Sequence, residues 1–313
     1  MTAGAGDRTL EEVPSRRVLV GLLLFAGTDA FAQDMQPRRW THLPVDTNVA
    51  DVTYAYSTGE LHFDPALRIE NAEVDLHTVL ATYNRYFGVG DMTARADLQI
   101  PIQSGRWTGL LDGVPRSVGR SGMGDPRVRL SLNFIGSPAL EGEQFQEYLR
   151  AHETRTIAGA ALAVRLPLGQ YSDDRLINLG DNRFEFEPQL GVVHAVGPWS
   201  FELTGSVFFY TPNDDFFDGS RLEKDPLYSL QGHVVRTFDA FWVSVGASYG
   251  LGGRSEVDGV RKDDERSNLL YGLLAGTSLG SRMGVRVGYI RQEALRRAGA
   301  DSHNVVAGWS IRF

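Results

Sequence analysis

From Asn48 to Phe313 the chain repeats one pattern, about ten residues of alternating apolar and polar side chains followed by a turn or a polar loop. Ala94, Ala96, Leu98, Ile100 and Ile102 interleave with Thr93, Arg95, Asp97, Gln99 and Gln103. Val128, Leu130, Leu132 and Phe134 interleave with Arg127, Arg129, Ser131 and Asn133. In a strand such sets point to opposite faces. The pattern predicts twelve strands, near 48–57, 74–87, 92–103, 123–135, 156–168, 183–195, 199–211, 226–237, 241–251, 267–279, 284–293 and 303–313.

Alternation alone also fits a soluble sandwich, so the connections decide between the two. Joins after the odd strands are long and polar (58–73, 104–122, 169–182, 212–225, 252–266, 294–302). Those after the even strands are tight, as at Gly88–Asp91, Gly197-Pro198, Phe238–Ala240 and Gly280–Met283. Long external loops, short periplasmic turns and an even strand count are the layout of an outer-membrane barrel. The expected fold is therefore all-β, a single antiparallel up-and-down barrel. The join 136–155 breaks the rule. Its segment 139–153 places Phe145, Tyr148, Leu149 and His152 on one helical face, which predicts one short periplasmic helix.

The one continuous apolar run, Val18–Ala26, is too short for a membrane-spanning helix, which needs about 20 residues. Arg16 and Arg17 precede it, and Ala30-Phe31-Ala32 supplies small residues at the −3 and −1 positions of a signal peptidase site. Residues 1–32 are expected to be a signal peptide, with Met1 or Val13 as alternative starts. Residues 33–47 would form a periplasmic lead-in and 48–313 the barrel. In the final strand Val305, Ala307, Trp309, Ile311 and Phe313 share a face. Trp309, Ile311 and Phe313 form the expected signal for the barrel-insertion machinery.

If the apolar set faces lipid, the interior collects Arg95, Asp97, Arg127, Arg129, Arg165, Glu185, Glu187 and Glu202 on neighbouring strands three to seven. These are the candidate pore-lining residues. They read either as cross-strand pairs that satisfy one another or as a charged constriction selecting solutes. Twelve strands tilted about 40° and spaced about 4.8 Å enclose a backbone radius of roughly 12 Å. Segments 74–87 and 267–279 alternate poorly, so their inward faces should be partly apolar. Pro101 and Pro167 are expected near the external rim, and Pro188 at a bulge.

Several function classes drop out. The net charge is −8 and no face carries a basic stripe, against a nucleic-acid partner. There is no Cys, hence no thiol nucleophile or disulfide, and neither a phosphate loop nor a metal-ligand spacing implies a cofactor. Asp301-Ser302-His303 would put Ser302 and His303 on opposite strand faces, while Ser229 and His233 would lie about 13 Å apart. An outer-membrane lipid hydrolase is thus the weaker alternative, and no enzyme activity is expected. Acidic clusters at Asp173-Asp174, Asp214-Asp215 with Asp218, and Asp263-Asp264-Glu265 read as solvated loop charge, or as carboxylates for divalent cations bridging to lipopolysaccharide. Outer-membrane lipids, lipopolysaccharide and a small-molecule solute complete the expected partners. The competing reading is a non-conducting structural barrel with a filled lumen.

Four blocks carry a family resemblance: Trp40-Thr41-His42-Leu43-Pro44, Gly122-Met123-Gly124-Asp125-Pro126, Leu166-Pro167-Leu168-Gly169-Gln170-Tyr171, and Ile177–Phe184 followed by Pro188 and Leu190-Gly191. In this order they resemble the outer-membrane transporter family associated with the meta-pathway of phenol degradation. The resemblance implies a barrel that moves small, often aromatic or hydrophobic, molecules. It brings no catalytic motif, and it implies that the Gly-Asp-Pro and Leu-Gly-x-Asn blocks serve turns and bulges.

Overall fold

The computed structural model describes residues 35–62, 69–175 and 177–313. The signal segment, with Ala30, Ala32 and the alternative start at Val13, lies outside the described residues. Twelve strands form the barrel: β1 (Asn48–His62), β2 (Ile69–Val89), β3 (Met92–Leu111), β4 (Arg127–Pro138), β5 (Thr154–Arg165), β6 (Glu185–Val196), β7 (Trp199–Tyr210), β8 (Leu227–Thr237), β9 (Phe241–Gly252), β10 (Arg266–Leu279), β11 (Met283–Ala294) and β12 (Gly299–Arg312). Each pairs antiparallel with its sequence neighbours, and β1 pairs with β12 from Val49↔Arg312 to His62↔Gly299, closing the cylinder. Closure leaves no open edge within the bilayer, which lipid cannot hydrogen-bond.

The inside–outside phase is the one alternation predicts. Leu130 is 57% exposed and Leu98 40%, whereas their neighbours Arg129 and Asp97 are buried. Outward Tyr54, Tyr228, Tyr249, Tyr271 and Tyr289 mark the external boundary of the apolar band. Tyr83, Trp199, Phe201, Phe241, Trp309 and Phe313 mark the periplasmic one. Two aromatic girdles flanking an apolar band are the signature of an outer-membrane barrel. Periplasmic turns are tight, and Gly197 and Gly280 take the positive φ (53° and 74°) that such turns require.

Several expectations need correction. The joins 58–73 and 104–122 are largely strand rather than loop. β2 begins at Ile69, β3 runs to Leu111, and Val114–Met123 returns paired along the upper half of β3. Beyond the bilayer these strands turn polar on the outside, so the apolar alternation that located them fades before the ladder does. The joins 212–225 and 252–266 hold short strands (Asn213–Phe216, Ser220–Lys224, Ser255–Val257, Val260–Arg261) that pair into a small external sheet. Pro188 causes no bulge; register with β5 and β7 is unshifted across it, with Phe186↔Phe209 and Gln189↔Ser206 on either side. Register shifts lie instead in β4, between Asn133 and Ile135 beside Gly136 at φ 66°, and in β2, between Glu70 and Glu73. Pro101 sits where β3 changes partner, between Gln99↔Arg127 on β4 and Ile102↔Met123 on the return strand, so its missing N–H breaks no continuous ladder. The periplasmic helix α1 (Gly142–Ala151) buries Phe145, with Tyr148 and Leu149 half-buried beside it. His152 is its C-cap, stacked on Tyr148 with ring centroids 4.3 Å apart.

Candidate functional site

All eight charged residues read as interior project into the lumen, where Arg95, Asp97, Arg127, Arg129 and Glu187 form one network through Gln189, and Glu202 meets the backbone of Arg38. On β3, Asp97 takes Arg95 (Nε–Oδ1 2.6 Å) and, from β4, Arg129 (Nη1–Oδ2 3.1 Å). Arg129 Nε also donates to Gln189 of β6 (2.8 Å), and Gln189 donates to Glu187 (2.6 Å). Glu187 pairs with Arg127, and Arg165 on β5 with Glu185 at 3.4 Å. These groups sit where neighbouring strands bring opposite charges side by side, and each desolvated charge has a partner. The facing wall carries a second pair: Arg286 on β11 grips both carboxylate oxygens of Asp51 on β1 at 2.7 and 2.8 Å.

The network is roofed by a segment that was expected below the barrel. Residues 35–42 turn upward into the lumen instead of lying in the periplasm as a lead-in, and the reason is chemical. Met35 packs on Leu270 and Leu274, the apolar inward positions of β10. Gln231 donates to the Gln36 carbonyl (3.0 Å), the Arg38 N–H donates to Glu202 (2.6 Å), and Arg95 donates to the Arg39 carbonyl (3.0 Å). Trp40 is 2% exposed, and its Nε1 donates to Thr204 Oγ1 at 2.9 Å. Its ring fills a slot made by inward Gly159 and Gly191; a Cβ at Gly191 would lie 1.9 Å from the indole nitrogen. At the periplasmic mouth His42 donates from Nε2 to the Pro138 carbonyl (2.8 Å) and meets Phe145 and Tyr148 of α1 edge-on. Burial holds the His42 imidazole below its ordinary pKa, opposed by the Pro138 hydrogen bond and assisted by nearby Arg155.

One sector of the external half of the lumen is apolar. Leu61, Val74, Leu76, Trp107 and Ala300 line the wall, and Leu179 and Ile177 from the loop between β5 and β6 fold inward onto them. The partly apolar inward faces expected of segments 74–87 and 267–279 are thus present, as Val74 and Leu76 on β2 and Leu270 and Leu274 on β10.

Comparison with known proteins now bears on this arrangement. A family model described as the MetA-pathway of phenol degradation matches residues 42–301. The chain belongs to that family. Among solved structures, an outer membrane channel from Pseudomonas putida F1 superposes with a TM-score of 0.74 at 20% identity, covering 90% of this chain and 100% of that one. The transport unit of the autotransporter AIDA-I from Escherichia coli superposes at 0.51 and 10% identity, covering 90% and 94%. Both share the barrel fold. No individually curated protein matches the chain by sequence.

Three of the four blocks that carry the family resemblance meet at one residue. Asp125 is buried, and its carboxylate accepts from the backbone N–H groups of Gly169 (Oδ1, 2.8 Å) and Asp181 (Oδ2, 2.8 Å). Gly124 N–H donates to the Pro101 carbonyl, and Gln170 N–H to that of Met123. Asp125 thus pins both limbs of the loop that carries Ile177 and Leu179 into the lumen. The turn role implied by the resemblance is what these bonds perform, in service of a loop that faces inward.

Neither candidate nucleophile pair assembles. Ser302 is buried in the lumen while His303 points outward to Tyr289, 2.6 Å from its hydroxyl. His233 bonds Gln231 and Ser244. Sequence reasoning missed Arg38, Arg39 and Trp40 as lumen residues. The signal available was a pair of glycines, Gly159 and Gly191, at inward positions of two strands, where a close approach is one reason for glycine.

Proposed function

We propose that this family member is an outer-membrane channel for small hydrophobic or aromatic molecules, passed without energy coupling. The observation that carries the reading is the apolar inner wall at the external mouth, Leu61, Val74, Leu76 and Trp107 covered by Leu179. A general porin for hydrophilic solutes has a polar, water-filled interior. An apolar vestibule suits a solute that is itself poorly hydrated, because its transfer from water there is favourable by roughly 25 cal/mol per Å² of apolar surface. Below the vestibule the seated segment 35–42 and the paired charges leave little for a hydrated ion, so passage requires Trp40 and Leu179 to yield.

The seated segment favours a second reading, a structural barrel whose lumen stays filled. One experiment separates the two. The full mature chain is reconstituted into vesicles with lipopolysaccharide in the outer leaflet, and uptake of a small aromatic alcohol and of arabinose is followed. The channel reading expects faster aromatic uptake than in protein-free vesicles with little gain for arabinose. Equal rates with and without protein, for both solutes, leave the structural barrel.

A further inference from the structure

The outward wall of β12, β1, β2 and β3 carries a groove of about 790 Å³ lined by Tyr54, Tyr56, Asp75, His77, Arg106 and Val305. Its height is fixed by the strand that bears it. Arg85 lies at the periplasmic end of the apolar stretch of β2 and Asp75 at the other. The chain between them rises about 33 Å, or about 25 Å along the bilayer normal at a tilt near 40°. That matches the apolar band of an outer-membrane barrel. Asp75 and its cross-strand partner Arg106 therefore stand at the outer-leaflet headgroups, with exposed Val79 and Ile102 as the next outward pair below His77 and Ser104.

Within this groove the charges are unevenly committed. Asp75 accepts the Tyr56 hydroxyl at 2.7 Å, and His77 Nδ1 is 2.7 Å from the Tyr54 hydroxyl. Arg106 donates from Nε to Ser117 Oγ at 3.0 Å and has no carboxylate within ion-pairing distance among the described residues. Arg291 stands on the same rung, through His303, Thr58 and Asp75, but lies 3.6 Å from Glu293. Beyond the groove β1 to β3 continue outward with Thr58, Glu60, Glu73 and Thr108, a polar wall standing above the bilayer.

We propose that the groove binds the phosphorylated disaccharide headgroup of an outer-leaflet glycolipid. Arg106 and His77 take a phosphate, the tyrosine rings pack on the sugars, and the acyl chains run down over Val79, Ile102 and Val305. A bidentate guanidinium suits phosphate, and Arg106 is one of the residues that line the groove. Free phosphate would use the cation and leave the apolar strip idle; a neutral apolar solute would use the strip and leave the cation idle. A phosphorylated lipid uses both.

The test is binding of bisphosphorylated lipid A to the folded full chain in detergent, beside dephosphorylated lipid A and inorganic phosphate. Arg106→Gln should weaken lipid A binding roughly fivefold, the worth of one basic residue at an anionic surface. Arg291→Gln should leave it unchanged. Ser104→Glu, which sets a carboxylate in the groove, should weaken it as well and guards against a folding artefact in the first variant. The proposal is overturned if Arg106→Gln and Ser104→Glu bind as the parent does, or if dephosphorylated lipid A binds equally. Inorganic phosphate that displaces lipid A at equal concentration overturns it too, since it marks an anion site indifferent to lipid.

Discussion

Arg129 lies over the indole of Trp40, its guanidinium carbon 4.8 Å from the ring centroid, so the strand network and the inserted segment are held by one contact. A cation on a desolvated aromatic face contributes about 2 kcal/mol. Trp40→Ala should release the segment while the barrel, held by its ladders, stays folded. The expected outcome is a retained heat-modifiable gel band together with a higher single-channel conductance in planar bilayers. Gly191→Leu should produce the same phenotype from the other side of the contact, because its side chain would occupy the indole's slot. A conductance unchanged in both variants would show that Trp40 does not control ion passage.

Leu130 and Arg129 are adjacent in sequence and opposite in surroundings. Leu130→Arg should impair insertion, with a cost of about 2–4 kcal/mol near the midplane. Asp97→Asn should also destabilise, because it leaves Arg95 and Arg129 without the carboxylate they share, at about 3–5 kcal/mol when such a pair is broken. The two are distinguished by repair. Adding Arg129→Gln to Asp97→Asn should recover part of the folded yield, measured by urea denaturation in detergent, because one of the two uncompensated cations is removed, whereas no interior change should rescue Leu130→Arg.

Asp125→Asn replaces one of two acceptor oxygens by a donor facing a backbone N–H. Hydrogen bonds to a charged group contribute about 1.5–3 kcal/mol each, so the loop 166–184 should loosen without loss of the barrel. Amide hydrogen exchange at Gly169 and Asp181 should quicken by one to two orders of magnitude, against unchanged exchange in β9. Exchange at both amides equal to the parent would remove Asp125 as the pin.

The periplasmic end should respond to acid. His42 docks neutral, its Nδ1 buried without a hydrogen-bond partner, and its pKa lies below the ordinary value near 6.5. The undocked state therefore binds a proton that the docked state refuses. Docking is at full strength above about pH 6.5 and weakens as the pH falls through that value toward the lower docked pKa. Arg155 on β5 and Tyr148 on α1 are the other ionisable groups facing it. Exchange protection of the Val45 amide, which donates to Leu140, should decline between pH 7 and 5 in the parent. His42→Gln should flatten that decline. His152→Gln, removing the exposed neighbour, should not.

Much of the barrel is legible in the sequence because lipid on one side and a packed interior on the other impose a period of two, and Arg127 to Phe134 display it without interruption. The positions of Glu187 and Arg127 inside, and of Phe186 and Val128 outside, follow directly. The inserted segment is less legible. Met35 to Trp40 has no periodicity, and its partners are scattered over β3, β4, β7, β8 and β10, far away in the chain. Val114 to Gly122 reads as loop in the sequence because, outside the membrane, nothing forces apolar residues onto one face. The expectation at Pro188 failed for a simpler reason: losing one donor in a ladder of many need not displace the register around it.

The seam between β1 and β12 is sealed at its lower end by Asn48 and Phe313, which exchange backbone hydrogen bonds at 2.9 and 3.0 Å. Trp40 sits a few residues upstream of that seam, already inside. Until the last strand arrives the barrel is a curled sheet with an open flank, and the indole has a wide way in. Afterwards its only route is the periplasmic mouth, which His42 and α1 narrow. The strand on which β12 closes the wall, β1, is therefore the strand tethered to the stopper, and biogenesis presents an order: the tether should be home before the zip is drawn, or it must be threaded through a closed hoop.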